Sequence, residues 1–327
     1  MPVVTKPRAG SMAFYPRVKA KSIIPKFGSF DNLVNNKECK PLCFYGVKAG
    51  MTHIMAKDAH KGCSTYGQEI AVPVSVLDVP ELKVIGARLY KSNKTISGKK
   101  TVYEFLTRDN TVQKKIKGKK SKNKVELETF LKKKDEADDL VVFAMLDTKQ
   151  TSTGQKKPVI VEVPLSGSYD DKINYLKDKY NKTISITDVT PVDTYLDVKS
   201  VTIGHGTTGP VKRFGIKIQR PKCQQHQRHV GSIGPWHPAG IMYTVARTGQ
   251  HGFHNRTTFN KKLVMVDADN TKVNPKGGFK NYGLIKNSFA LIAGTIPGPT
   301  NRVIVIRPAT RNHRATTELA DINYIAK

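Results

Sequence analysis

The chain has 327 residues, 38% of them hydrophobic, with 55 lysines and arginines against 26 acids and a formal net charge of +29. That length and apolar share suffice for one large domain or two modest ones. So large an excess of one sign repels itself in a free enzyme but is relieved on a polyanion, where each neutralised phosphate releases counterions. The longest clean apolar run, 140–146, is about a third of the roughly 20 residues a membrane helix needs. The opening MPVVTKPRAG has no apolar signal core. Four cysteines (Cys39, Cys43, Cys63 and Cys223) in a chain of this size fit a reducing compartment. The expectation is a cytoplasmic, nucleic-acid-binding protein with no membrane partner.

Residues 1–30 contain no acid and six basic residues: Lys6, Arg8, Arg17, Lys19, Lys21 and Lys26. Pro2, Pro7, Pro16 and Pro25 exclude a regular helix or central strand there. An arm of this kind is expected to order only on a partner, not against its own apolar core. Segments 44–47, 72–77, 195–203, 263–266, 283–285, 290–292 and 303–306 have strand character and are separated by Gly, Pro or Asn. Together they predict an antiparallel barrel of short strands.

Residues 81–190 hold 15 of the 26 acids and read as an α+β insertion between barrel strands. Within it, 140–146 (LVVFAML) and 159–163 (VIVEV) predict strands. Residues 123–137 predict a helix with Val125, Leu127 and Leu131 near one face. Residues 168–182 predict another, with Ser168 as N-cap, Asp171 three residues on, and Ile173, Leu176 and Tyr180 at helical spacing. The run 114–124 (KKIKGKKSKNK) is a basic surface loop or a flexible tip on RNA.

Between Asp197 and Asp267 there is no acid, yet the interval holds 11 lysines and arginines and six of the nine histidines. About 25 residues of it, 221–244, are aperiodic and rich in Gly, Pro, Gln and His. A structureless loop that long in a compact domain is uncommon and usually functional. Uniform positive charge on irregular backbone suits threading into folded RNA.

Several motifs invite other readings. Gly204, Gly206 and Gly209 spell the dinucleotide fingerprint, but Pro210 follows, 211–218 alternates like a strand, and no acid comes about 20 residues later. The glycines instead predict a tight turn where backbone approaches phosphate. Cys39-x3-Cys43, His60-x2-Cys63 and His226-x2-His229 lack the strict paired spacing of zinc ribbons or fingers. No nucleophile elbow or HExxH occurs, and the histidine-rich region has no carboxylate to orient an imidazole. No enzyme activity, cofactor, metal or small-molecule substrate is therefore expected. Trp236, the sole tryptophan, lies in the proline-braced GPWHPA of an acid-free loop, which suits a displayed aromatic able to stack on a base.

RAGSMAFYPR (8–17), YGVKAGMTH (45–53), GPVKRFG (209–215), IGPWHPA (233–239), GQHGFH (249–254) and NPKGGF (274–279) resemble, in order and spacing, the universal large-subunit ribosomal protein L-three family in its archaeal or eukaryotic form. The resemblance spans essentially the whole chain. It implies a mainly β fold: a translation-protein-type antiparallel β-barrel (38–80 and 191–327) with an inserted α+β subdomain (81–190). A basic N-terminal extension (1–37) and a long RNA-penetrating loop (about 221–244) tipped by Trp236 complete it. It also implies a structural constituent of the large ribosomal subunit that acts early in assembly, its finger reaching toward the peptidyl transferase centre. The implied partners are large-subunit ribosomal RNA and neighbouring ribosomal proteins; the alternative is another RNA-binding ribosome assembly factor. The proline before Trp236 and the short C-terminus look archaeal. Gln224 stands where eukaryotic members often carry a methylatable histidine, which puts that modification in doubt.

The expected RNA contacts are Arg8, Arg17, Lys19, Lys21, Lys48, Lys212, Arg213, Arg228, Arg247 and Arg256 on phosphates. His229, Trp236, His237 and His254 are expected to stack or hydrogen-bond, and Gly204, Gly206 and Gly209 to allow close backbone approach.

Overall fold

The computed structural model describes residues 8–30, 33–34, 38–93, 98–107, 127–311 and 318–327. It divides into two compact units, Met1–Ile23 with Val201–Arg256, and Ile24–Ser200 with Thr257–Lys327. The fold is mainly β and antiparallel, with few and short helices. No helix among the described residues is long and apolar enough to cross a membrane.

In the larger unit, β1 (Phe44–Asp58) pairs with β13 (Val303–Pro308), Phe44 opposite Ile306, and along most of its length with β2 (Glu69–Asp78). Its far half also carries β14 (Leu319–Ile325). From β2 the order continues through β12 (Phe289–Ala293), β11 (Asn255–Asp267) and β8 (Tyr195–Val201) back to β13, a near-closed ring of strands. The first six residues of β1 are all buried and the rest mostly alternate. That is the pattern of a strand with a covered half and a half-exposed half.

A second, five-stranded sheet has the order β4 (Gly98–Leu106), β3 (Leu82–Asn93), β5 (Asp139–Leu146), β6 (Val159–Pro164), with β7 (Thr183–Ile184) beside β3. β5 is buried almost throughout and β6 alternates, as their apolar runs predict. Gly86 lets β3 approach β4: a Cβ there would lie 2.1 Å from the Phe105 carbonyl oxygen. The helix Tyr169–Lys179 packs through Ile173 and Leu176, and Ser168 and Asp171 form the reciprocal capping box. One apolar core runs through both sheets of this unit.

Three expectations for the larger unit need correction. The helix predicted over 123–137 is a shorter one, Leu127–Lys132, followed by a 3-10 turn Lys134–Glu136; 114–124 and the predicted start fall outside the described residues. Its anchor is Phe130, whose ring lies 4.9 Å from that of Phe105. Burying a ring this size contributes about 1.5–3 kcal/mol. Residues 283–285 form no strand: Gly283 closes a turn onto Phe279 at φ +92°, and Asn274 holds both backbone groups of Ile285. The arm does meet its own core. Pro25 is buried, and Ile24, Phe27 and Phe30 pack on the larger unit.

Arg307 explains how. On β13, it pairs with fully buried Asp197 of β8 through Nε and Nη2 at 3.1 and 3.0 Å. Its guanidinium lies 4.3 Å from the Phe27 ring centroid and donates to the Ser29 carbonyl. A charged group satisfied on one side by a carboxylate can still offer its face and a spare N–H to the arm.

Candidate nucleic-acid interface

The smaller unit is where the charge asymmetry becomes a structure. Met1–Ile23 and Val201–Arg256 contain thirteen lysines and arginines and no Asp or Glu. Two like charges about 8 Å apart repel by on the order of 2 kcal/mol at an effective dielectric of 20. With no carboxylate present, compensation must come from backbone carbonyls, aromatic faces and an external polyanion.

The scaffold is small. β9 (Gly204–Thr208) and β10 (Gly249–Gly252) form a two-stranded ladder, Thr208 opposite Gly249. A Cβ on Gly252 would sit 2.0 Å from the Ile203 carbonyl oxygen, so only glycine fits. Between these strands comes a short helix, Pro210–Phe214, where a strand over 211–218 is predicted. Pro210 stands at its first turn and Gly215 ends it in the left-handed region, so one turn forms despite the alternating pattern.

The arm is fastened to this scaffold through its cations. Arg17 donates to the carbonyls of Ser11 (3.2 Å) and Arg213 (3.4 Å), with its guanidinium 4.3 Å from the Phe214 ring centroid. Arg213 donates to the carbonyls of Gln250 and Arg247, both at 3.0 Å. Arg8 donates to the Thr244 carbonyl, and Arg256 lies 4.5 Å from the Phe14 ring. Burial, then repulsion from Arg17, holds Arg213 and Arg256 below the usual guanidinium range. The Ala20 N–H donates to the Phe253 carbonyl at 2.8 Å.

Beyond this base, every residue from 231 to 243 is exposed, and Trp236 is 88% exposed. Ile233, Met242 and Tyr243 are exposed beside it in sequence. Short 3-10 turns within Pro221–His226, interrupted by a kink at Gln224 (φ +46°), and bonds such as Gln219 N–H to the Gln227 carbonyl shape the stalk. The segment from 231 to 243 has no core of its own.

The family model described as "Ribosomal protein L3" matches residues 1–327. The chain belongs to the ribosomal protein L3 family. It is 39% identical to the "Large ribosomal subunit protein uL3" of Methanosphaera stadtmanae, covering 98% of this chain and 96% of that protein. The proteins of the same name from Methanococcus vannielii and Methanobrevibacter smithii are each 38% identical over the same shares. As a member of the ribosomal protein L3 family it is a structural ribosomal protein and not an enzyme.

The RNA contacts expected from the sequence fall into distinct groups. Arg8, Lys19, Lys21, Lys212, Arg228, His229, Trp236, His237 and Arg247 are exposed on the acid-free unit. Arg17, Arg213 and Arg256 are partly covered and hold the unit together. Gly206 is open at φ +66°; Gly209 is the open N-cap of the short helix; a Cβ on Gly204 would lie 3.4 Å from the Phe253 side chain. His254 is buried, and its Nδ1–H donates to the Val18 carbonyl at 2.8 Å. Lys48 lies in the larger unit, buried in β1, its ammonium donating to the carbonyls of Ile296 (2.9 Å) and Gly298 (3.0 Å). Burial pulls its pKa down.

Phe14, Tyr15, Phe214 and Tyr243 were not singled out by sequence, yet they carry the stacking: Tyr15 meets Tyr243 edge-on at 5.5 Å. Their one sequence signal is aromatic–arginine proximity, Phe14-Tyr15 before Arg17 and Arg213 before Phe214. His205 and His251 stack at 5.0 Å. Among the described residues no three His, Cys, Asp or Glu side chains converge as metal ligands would. Cys43 is a buried thiol whose pKa burial raises to about 12.

Proposed function

We propose that this chain is a structural constituent of the large ribosomal subunit that binds large-subunit ribosomal RNA through its acid-free unit. The observation that carries the reading is a folded unit of thirteen cations, no carboxylate and an 88% exposed tryptophan. The three relatives carry the name of a large ribosomal subunit protein, which supports that destination and, with it, the cytoplasmic ribosome.

The action is positioning without chemistry. Exposed Arg8, Lys19, Lys21, Lys212, Arg228 and Arg247 take phosphates, and Trp236 with His229 and His237 takes unstacked bases. Arg17, Arg213 and Arg256 act beneath them, keeping the arm and the loop in register. Lys48 is left out of this set because its ammonium is satisfied by two carbonyls. Residues 38–80 and 191–327 act as a translation-protein-type barrel with 81–190 inserted, and the 221–244 finger reaches toward the peptidyl transferase centre. Early action in assembly and neighbouring large-subunit proteins as partners follow from the same resemblance.

Sucrose-gradient sedimentation of ribosomes carrying the tagged full chain tests this. The chain should remain stoichiometric with mature large subunits at moderate salt. Departure before the subunit matures would make it an assembly factor and contradict the reading.

A further inference from the structure

A second stretch without acids belongs to the larger unit. Between Asp269 and Glu318 the sequence has eight lysines and arginines and neither Asp nor Glu. Two of the eight are engaged by carboxylates outside the stretch: Lys272 is ion-paired to Asp267, and Arg307 to Asp197. Lys276, Lys280 and Lys286 are exposed, and among the described residues none of the three has an ion-pair partner.

The backbone that carries them is a pair of successive β-turns. The Gly278 N–H donates to the Pro275 carbonyl at 2.9 Å, and the Tyr282 N–H to the Phe279 carbonyl at 3.0 Å. Lys276 and Lys280 each therefore occupy the first central position of a turn. Gly278 at φ +74° and Asn281 at φ +62° let the chain double back so tightly. The turns are braced from several sides. Phe279 packs on β1, where a Cβ on Gly50 would lie 2.6 Å from its ring, so the segments 45–53 and 274–279 meet here. Tyr282 and Asn287 donate to the buried Asp78 carboxylate. Asn301 donates to the Asn281 carbonyl, and Ser152 to that of Leu284.

This bracing fixes the inner side of the turns and leaves the outer side unused. The backbone N–H groups of Lys276, Gly277, Lys280 and Asn281 have no partner among the described residues. Ammonium groups and spare N–H donors held on a rigid backbone suit phosphate oxygens, which accept from both. The carboxylates on neighbouring elements do not compete. Asp78 is buried and already takes two donors, while Glu81 and Asp147 share a depression with Lys83 and Asn287 whose walls include none of residues 275–282. A protein partner fits less well. Interface cores are depleted in lysine and centred on aromatic or arginine anchors. The exposed residues here are lysine, glycine and asparagine, with Leu284 the single exposed large apolar side chain of 275–286.

We propose that the double turn Pro275–Tyr282, with Lys286 beside it, is a second RNA-binding site, on the barrel unit, that takes backbone phosphates of large-subunit ribosomal RNA. This rests on the large-subunit reading above. It makes the larger unit an RNA-docking body in its own right, with Lys276 and Lys280 as its phosphate contacts.

The test places the photo-crosslinking amino acid p-benzoylphenylalanine at position 277 of the full chain and irradiates purified large subunits. A Cβ at Gly277 meets nothing within 4 Å, and both lysines are kept. The expected product is a crosslink to large-subunit ribosomal RNA. A crosslink to a ribosomal protein, or no crosslink, would overturn the proposal. Binding of the full chain to deproteinised large-subunit ribosomal RNA, measured across salt concentrations, gives an independent reading. Lys276→Gln combined with Lys280→Gln should flatten the log–log salt slope by about two units, whereas Lys276→Arg with Lys280→Arg should keep it. An unchanged slope for the glutamine pair, or an equal loss for the arginine pair, would overturn the proposal. Co-sedimentation with large subunits is scored in the same preparation. A chain that co-sediments but fails these measurements loses only the second site, whereas one that does not co-sediment loses the large-subunit reading.

Discussion

The guanidinium carbon of Arg17 lies 4.3 Å from the Phe214 ring centroid, while its N–H groups reach the carbonyls of Ser11 and Arg213. One side chain thereby ties the arm to the root of the finger. A desolvated cation–π contact contributes about 2 kcal/mol. Arg17→Ala should therefore release 8–23 locally without unfolding the larger unit. Hydrogen exchange at the Ala20 amide, bonded to the Phe253 carbonyl, should accelerate roughly tenfold or more. Unchanged protection there would show that the arm is held by something else.

Asp197 and Arg307 make a different prediction because they are buried in the larger unit. Removing one partner of such a pair leaves a desolvated charge and costs about 3–5 kcal/mol. Arg307→Ala should lower the thermal midpoint by roughly 10 °C. Asp197→Asn should cost less, because a side-chain oxygen still accepts from the Thr310 hydroxyl and from the backbone N–H of Asn260 or Thr310. Equal midpoints for Arg307→Ala and the unsubstituted protein would contradict the assignment.

How much of this was readable beforehand depended on what each feature is made of. The strand at β5 announces itself as seven consecutive apolar residues, and the helix at Tyr169–Lys179 by Ser168 and Asp171. β3, β4 and β14 were missed because their sequences (LKVIGARLYKSN, GKKTVYEFL and LADINYI) mix charge into half-exposed strands whose partners lie elsewhere in the chain. The turn at Pro210–Phe214 was misread because five residues are too few for periodicity to outweigh an alternating pattern. The acid-free interval is compositional and therefore fully legible. The acceptors of its arginines are not, since the carbonyls of Ser11, Arg213, Thr244 and Gln250 belong to backbone and leave no trace in residue type. Lys48 shows the same limit: only its place in the buried half of β1 reveals that it faces Ile296 and Gly298.

The histidines of the smaller unit make it acid-sensitive. Burial, followed by His205, His254 and nearby cations, lowers the pKa of His251, and burial outweighs the Val18 hydrogen bond to lower that of His254. An unfolded imidazole takes its proton near pH 6.5, whereas these two take theirs at lower pH when folded. Between those values the unfolded chain binds more protons, so stability is unaffected above about pH 6.5 and falls as pH drops below it. Hydrogen exchange at Phe253, whose amide bonds the Ile203 carbonyl, should show local opening becoming easier between pH 7 and 5.5 after correction for intrinsic rates. Added protection on acidification would contradict this.

Salt dependence separates surface cations from structural ones. For the free chain on a large-subunit RNA fragment, Lys212→Ala or Arg228→Ala should weaken binding and lower the log–log salt slope by about one unit each. Lys48→Ala should leave the slope unchanged while lowering thermal stability, because its ammonium bonds two carbonyls rather than facing solvent. A slope change for Lys48→Ala equal to that for Lys212→Ala would return Lys48 to the phosphate-binding set.

The most direct test is ultraviolet crosslinking of purified large subunits with peptide-level mapping of every RNA adduct on this chain. Adducts should concentrate in 8–23 and 201–256, with Trp236 and its neighbours among them, and should be sparse on the five-stranded sheet. Adducts distributed mainly over 81–190, with none in 201–256, would contradict the claim that the acid-free unit is the RNA-binding surface.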